Sequence, residues 1–226
     1  MKVTTTGHSN TAIGKGALDA HTTGDNNVAV GLDALGAQTT PGSNTAIGMT
    51  AGAAITTGGN NIMLGAGAGG SGTPGGTLTT GSNSVCIGND NISSANIQVD
   101  WTIASDARDK TDVEPLKIGL SFINQLEPIT YRWDKRSKYS NDQSIAPDGS
   151  HKEDWLDTGF LAQDVEKLEE EFGYQADNKT NLTTTLSGDG KMYGLTYSKF
   201  IPSLVKAVQE LSAEVEELKQ QLNQEE

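Results

Sequence analysis

The sequence predicts two unlike parts. The first is an N-terminal all-β repeat fibre, either a β-roll or a triple β-helix. The second is a C-terminal α+β domain ending in a long coiled-coil helix. Three observations support this division. A motif recurs every 17 residues between Asn10 and Ala68. Twenty of the 27 glycines lie in residues 1–100, whereas all twelve aromatic side chains lie beyond them. From Ile201 to Leu222, apolar residues alternate spacings of three and four. The expected boundaries are 1–104 for the stalk and 105–226 for the second domain, with a coiled coil over 198–224.

The repeat begins at Asn10, Asn27, Asn44 and Asn61, each opening an apolar triplet and a glycine: Thr-Ala-Ile-Gly, Val-Ala-Val-Gly, Thr-Ala-Ile-Gly and Ile-Met-Leu-Gly. Ala17, Ala34, Ala51 and Ala68 follow seven residues after each Asn. Thr-Thr pairs recur at Thr22, Thr39 and Thr56, and a fifth copy leads into Val85-Cys86-Ile87-Gly88, six residues late after the glycine-rich stretch Gly65–Gly76. Each unit is a short β run, a glycine turn and a Thr-rich return, and none can bury a core alone. Stacked units, or several chains wound together, would let the Ile, Val and Leu positions form a thin continuous core. Met1 opens in mid-pattern, so a longer protein is expected. His8, His21 and His151 lack convergent partners, and each is expected to face solvent with no metal role. Asn91, Asn178 and Asn181 open Asn-x-Ser/Thr triplets, but nothing in the sequence indicates secretion.

Charge separates the parts as well. Residues 1–100 carry seven charges, Lys2 and Lys15 against Asp19, Asp25, Asp33, Asp90 and Asp100, while residues 101–226 carry 14 basic and 24 acidic groups, a net of −10. This balance argues against non-specific nucleic-acid binding, which needs clustered Lys and Arg. A lone Cys86 excludes an internal disulfide, and no spacing suggests zinc. No apolar run is long enough for a membrane span. No cofactor is expected.

In the second part, Leu116, Leu120, Ile123 and Leu126 fall near a helical period, so a short helix is expected over 116–126, ended by Pro128. Ile129–Trp133 alternates as a strand, and 134–153 is a polar loop with a turn at Pro147-Asp-Gly149. Asp157–Leu168 reads as a strand running into a helix. Thr183–Leu186 and Met192–Leu195 flank Gly188-Asp-Gly190 as a hairpin. Ile201, Val208, Val215 and Leu222 take the a positions of a heptad seam, with Leu204, Leu211 and Leu218 at d. Glu214 at g and Lys219 at the following e can pair between parallel chains. Branched residues at a favour two strands, but Val205 and Ala207 widen the face and leave three open.

At the junction, Ser105-Asp106-x-Arg108-x-Lys110 is followed by Gly119-Leu-x-Phe-Ile, Tyr131-Arg-Trp133, Gly159-Phe-Leu-Ala-Gln-Asp164 and Tyr197-Ser-Lys-Phe-Ile-Pro202. In this order, over about residues 101–226, the sequence resembles the intramolecular chaperone, or S74 peptidase, domain of bacteriophage tail spikes and tail fibres. Asp109 departs from the family pattern, where Leu is common, so packing around the motif is expected to differ. The resemblance implies a homotrimer in which the domain guides folding of the upstream fibre and then cuts itself off at Ala104–Ser105. By position, Ser105 is the nucleophile and Lys110 the general base of a single-turnover serine endopeptidase, with Asp106 and Arg108 as neighbours. It also implies a tail fibre or virion appendage, with the released domain left in the host cytoplasm after assembly. The partners are then two further copies, the upstream fibre as folding client and a host-surface receptor through the fibre, without nucleic acid or membrane insertion.

The chemistry is consistent with those residue types. A serine hydroxyl needs a nearby base, and lysine serves only when neutral, after desolvation or beside positive charge. Arg108 would supply such charge, Asp106 and Asp109 would oppose it, and assembly would desolvate Lys110. Ser105 would attack the adjacent carbonyl directly, giving an ester that water resolves, or attack would proceed in another geometry. The alternative is a structural adhesin whose second domain is a permanent trimerisation cap without cleavage. A glycan-degrading enzyme would need a carboxylate pair in a groove, and an aromatic-free repeat gives sugars nothing to stack on.

Overall fold

A computed structural model describes residues 6–73, 75–140, 143–175 and 182–225. Asn178 and Asn181 lie outside the described residues. The chain divides into two compact units that interleave along the sequence: Met1–Ser93 with Tyr131–Asp157 and Leu186–Gly194, and Ser94–Thr130 with Thr158–Thr185 and Leu195–Glu226.

The first unit holds a β-solenoid within one chain. Strands β1 (Thr11–Ile13), β2 (Val28–Val30), β3 (Thr45–Ile47), β4 (Ile62–Leu64) and β5 (Val85–Ile87) form one parallel sheet in chain order. Thr11 pairs with Val28, Val28 with Thr45 and Thr45 with Ile62, one repeat per coil, while Ile62 pairs with Val85 across the insertion. Of the two expected architectures, the β-roll is the one found within the chain.

The asparagines explain the period. Asn27 donates its backbone N–H and its side-chain amide to Asn10 Oδ1 at 2.9 and 3.0 Å. The backbone N–H groups of Asn44, Asn61 and Ser84 donate in turn to Asn27, Asn44 and Asn61 Oδ1 at 2.9–3.0 Å. Each side-chain amide also reaches a turn carbonyl of the next coil: Gly24, Pro41, Gly58 or Gly81. A buried amide ladder satisfies backbone groups that a short strand leaves open. Threonines do the same on the return, Thr22 Oγ1 donating to Thr39 O, Thr39 to Thr56 O and Thr56 to Thr79 O. Before four of the asparagines and before Ser84, Ser9, Asn26, Ser43, Asn60 and Asn83 adopt left-handed backbone with φ of 57–64°, which short polar side chains tolerate.

The interior is narrower than the sequence implied. The middle residue of each triplet points inward, so Ala29, Ala46 and Met63 join Ala17, Ala34, Ala51 and Ala68 in a fully buried column. Leu18, Leu35 and Ile55 share this core, but the branched residues that flank the middle position of each strand do not. Strand alternation places them on the opposite side, and Ile13, Ile47, Leu64 and Ile87 form an exposed apolar stripe.

His21 also departs from expectation, because it is fully buried. It occupies the column of Gln38, Ile55 and Leu78, and its Nε2 lies 2.7 Å from Gly24 O. His8 and His151 are not buried, and no group of three or more His, Cys, Asp or Glu among the described residues could hold a metal ion. Gln38 fits its column poorly. Its Nε2 donates to Asn27 Oδ1 and Pro41 O, both of which keep other donors, while its buried Oε1 has no partner. Gln38→Leu should orphan nothing and remove one unsatisfied acceptor, stabilising the solenoid by about 1 kcal/mol. A thermal melt would show this, and a lowered melting temperature would refute it.

The second unit packs around Phe122. Ile118, Val165, Leu168 and Phe200 surround it, and Phe172 meets its ring edge-to-face at 5.5 Å. Helix α1 covers Leu120–Ile123, shorter than the 116–126 expected. Gly119, at φ −150° and ψ −125°, stops it from extending backward, and Glu210 Oε2 accepts from the Leu120 N–H at 2.7 Å. That bond, with Lys206 beside it, holds the Glu210 carboxyl below its ordinary value. Helix α2 spans Ala162–Glu171 and buries Glu169, whose carboxylate accepts from the Thr183 and Thr184 N–H groups and the Thr183 hydroxyl. Two small sheets complete the secondary structure, β6 (Ile129–Tyr131) with β7 (Asp157–Gly159), and β8 (Thr184–Leu186) with β9 (Tyr193–Leu195). These agree with the expected strands and hairpin.

Helix α3 runs from Phe200 to Glu225, with Pro202 in its first turn, where the missing N–H costs nothing. It buries Phe200, Ser203 and Ala207. The seven a and d residues lie on another face and remain 41–65% exposed. The seam therefore does not serve the helix's own domain. No described helix is long and apolar enough to cross a membrane.

Candidate active site

Ser105 and Lys110 are brought together by a single turn. Asp106 caps the 3-10 turn Ala107–Asp109, its Oδ1 accepting from the Arg108 N–H at 2.9 Å, and the Lys110 N–H closes the turn onto Ala107 O. A one-turn reversal between i and i+5 returns the lysine to the serine. Lys110 Nζ lies 2.6 Å from Ser105 Oγ. The Ser-x₄-Lys spacing thus has a local cause, an Asp-capped turn.

Asp106 also binds the Arg108 guanidinium through both oxygens, with contacts of 2.5–3.2 Å. The side-chain bond to Arg108 holds the Asp106 carboxyl below its ordinary value and pushes the Arg108 guanidinium up. The two neighbours therefore neutralise each other. Arg108 is engaged with Asp106 instead of lending its charge to Lys110, and Asp106 is matched instead of opposing it. Desolvation is left as the means of favouring a neutral lysine.

A single chain does not supply that desolvation. Ala104, Ser105, Lys110 and Asp109 are all exposed. So are Ile97, Val99, Trp101, Ile103 and Val113 around them, with Trp101 74% and Val113 79% accessible. The stretch 97–103 alternates apolar and polar residues as strands do, yet it forms no strand here. The dyad thus lies in a stretch of sequence whose apolar side chains are left exposed by the described residues.

Residues 105–174 match the Peptidase_S74 family model, described as chaperone of endosialidase. The matched segment starts at Ser105 and takes in Lys110, α1, β6, β7 and α2. The C-terminal part of the chain therefore carries chaperone-domain sequence. No similar protein was found among curated proteins or among solved structures.

Proposed function

We propose that the chain is the C-terminal part of a phage tail fibre or spike. Its second domain trimerises, guides folding of the upstream solenoid, and is then released by self-cleavage at Ala104–Ser105. The observation that carries this reading is the 2.6 Å contact between Lys110 Nζ and Ser105 Oγ, set within chaperone-family sequence. Neutral Lys110 takes the Ser105 hydroxyl proton as Oγ attacks the Ala104 carbonyl carbon. The Ser105 nitrogen leaves as an amine, taking a proton, and Ala104 is left esterified to Oγ. Water then hydrolyses the ester, giving the Ala104 carboxylate and restoring the hydroxyl.

Two surfaces support association: the exposed heptad seam of α3 and the apolar stripe on the solenoid. Val205, 52% exposed beside the seam, widens its apolar face on one side and suits a third strand, whereas Ala207 is buried against the helix's own domain and takes no part. Burying the stretch 97–113 between chains would strip water from Lys110, so cutting would follow assembly. Separately folded solenoids gain register because the coiled coil raises their local concentration. The mature fibre would then carry any receptor contact.

A denaturing gel tests the proposal. The wild type should give fragments of 104 and 122 residues, which together make the 226 of the chain, and Ser105→Ala should remain intact. An assembled wild type that stays intact would leave the domain as a permanent trimerisation cap.

A further inference from the structure

The glycine-rich insertion Gly65–Gly76, which puts the fifth repeat out of register, is unexplained by either folding or cleavage. It is met by the other side of the scissile bond. The backbone N–H of Thr77 donates to Asp189 Oδ2 at 2.9 Å. At Gly76 an added Cβ would lie 2.5 Å from Asp189 Oδ1, and at Gly72 2.7 Å from Ser137 Cβ. Both glycines have positive φ, 72° and 81°, so the insertion combines a left-handed backbone with closeness that side chains would prevent.

The turn after β5 is held in the same way. Lys135 Nζ donates to Asp90 O at 2.8 Å, Ser137 Oγ to the Asp90 carboxylate, and Lys138 Nζ to Asn91 Oδ1. All these residues belong to the first compact unit, which contains Tyr131–Asp157 and Leu186–Gly194 as well as the solenoid. Peptide-bond cleavage between residues 104 and 105 breaks none of these contacts. Lys135 is also paired with Glu153 at 3.0 Å, so its ammonium is oriented from within the C-terminal fragment before it meets Asp90.

We infer that the insertion loop and the Asp90–Asn91 turn form a docking surface for segments 135–138 and 187–189, so that the C-terminal fragment stays seated on the solenoid end after the chain is cut. Cleavage and release are then separate events. The first removes the covalent link and the second must break a polar interface. The consequence for fibre maturation rests on the self-cleavage reading, whereas the docking stands on the contacts themselves.

The test makes the cut by other means. A recognition sequence for a site-specific protease is placed in the exposed connector 94–103 of Ser105→Ala chain, the folded protein is cut, and the fragments are run on a sizing column. They should co-elute. Adding Ser137→Ala, Lys138→Ala and Asp189→Ala together should weaken retention by about 100-fold or more and separate them. Wild-type-interface fragments that part at once, or triple-variant fragments that stay together, would overturn the inference. If the triple variant does not fold, exchange at the Thr77 amide decides: protection retained after cutting upholds docking, and protection lost refutes it. Failure of self-cleavage would appear separately, as an intact chain when Ser105 is present.

Discussion

Replacing Leu211 and Leu218 with aspartate should leave the full-length chain uncut, although Ser105 and Lys110 are untouched. Both leucines are exposed on α3 and make no part of the domain core, so the monomer should fold normally. Their cost falls on association. Losing a buried leucine costs about 2–5 kcal/mol, so two such losses weaken assembly by about three orders of magnitude or more at 1.4 kcal/mol per tenfold. Carboxylates from neighbouring chains meeting at each layer would add repulsion. Without a partner over Trp101, Ile103 and Val113, water stays around the Ser105–Lys110 pair and cutting should fail. Sedimentation and a denaturing gel on the same sample provide the check. A monomeric variant that still cuts would show that the dyad needs no assembly.

The largest structural effect is expected at Gly48. Its φ is +136°, and an added Cβ would lie 2.6 Å from both the carbonyl carbon and oxygen of Gly65 in the next coil. Gly48→Ala combines backbone strain of about 1–3 kcal/mol with overpacking of about 1–3 kcal/mol. The damage should also spread, because each coil is held only by its neighbours and Gly48 sits in the middle of the stack. Gly75→Ala is the control: among the described residues, its chain neighbours aside, nothing lies within 4 Å of an added Cβ, and the change should be within about 0.5 kcal/mol. Chemical denaturation of both variants would compare them. Equal stability would show that the coils tolerate a wider spacing at this corner.

The sequence made the coil period and the strand positions legible, since columns of Asn, Thr and Ala must stack if their spacing is constant. It did not reveal which residues point inward. Apolar character favoured Ile and Val for the core, whereas the width left by the Asn ladder admits alanine. His21 shows how the same columns could have corrected a misreading. Stepping 17 residues twice leads to Ile55, a buried position, and that signal outweighs the usual exposure of histidine. Helix α1 was overextended because the apolar period continued past a backbone that Gly119 interrupts. At the junction, the Ser–Lys spacing alone was common, and its meaning came from the accompanying motifs. The Asp106 cap is visible in sequence as an Asp before a short turn, but its pairing with Arg108 is a matter of geometry. The docking of 135–138 and 187–189 on the solenoid left no pattern, because those partners lie 45 to 112 residues away.

The parallel ladder gives this solenoid a graduated length. Each coil advances the sheet by one strand spacing, about 4.8 Å; the first three steps use 17 residues and the fourth uses 23. The Asn ladder and the alanine column recur from coil to coil, so a 17-residue repeat can be gained or lost while these contacts are kept. Length is therefore a whole number of strand spacings, and duplication of a 17-residue unit would lengthen the solenoid by one of them.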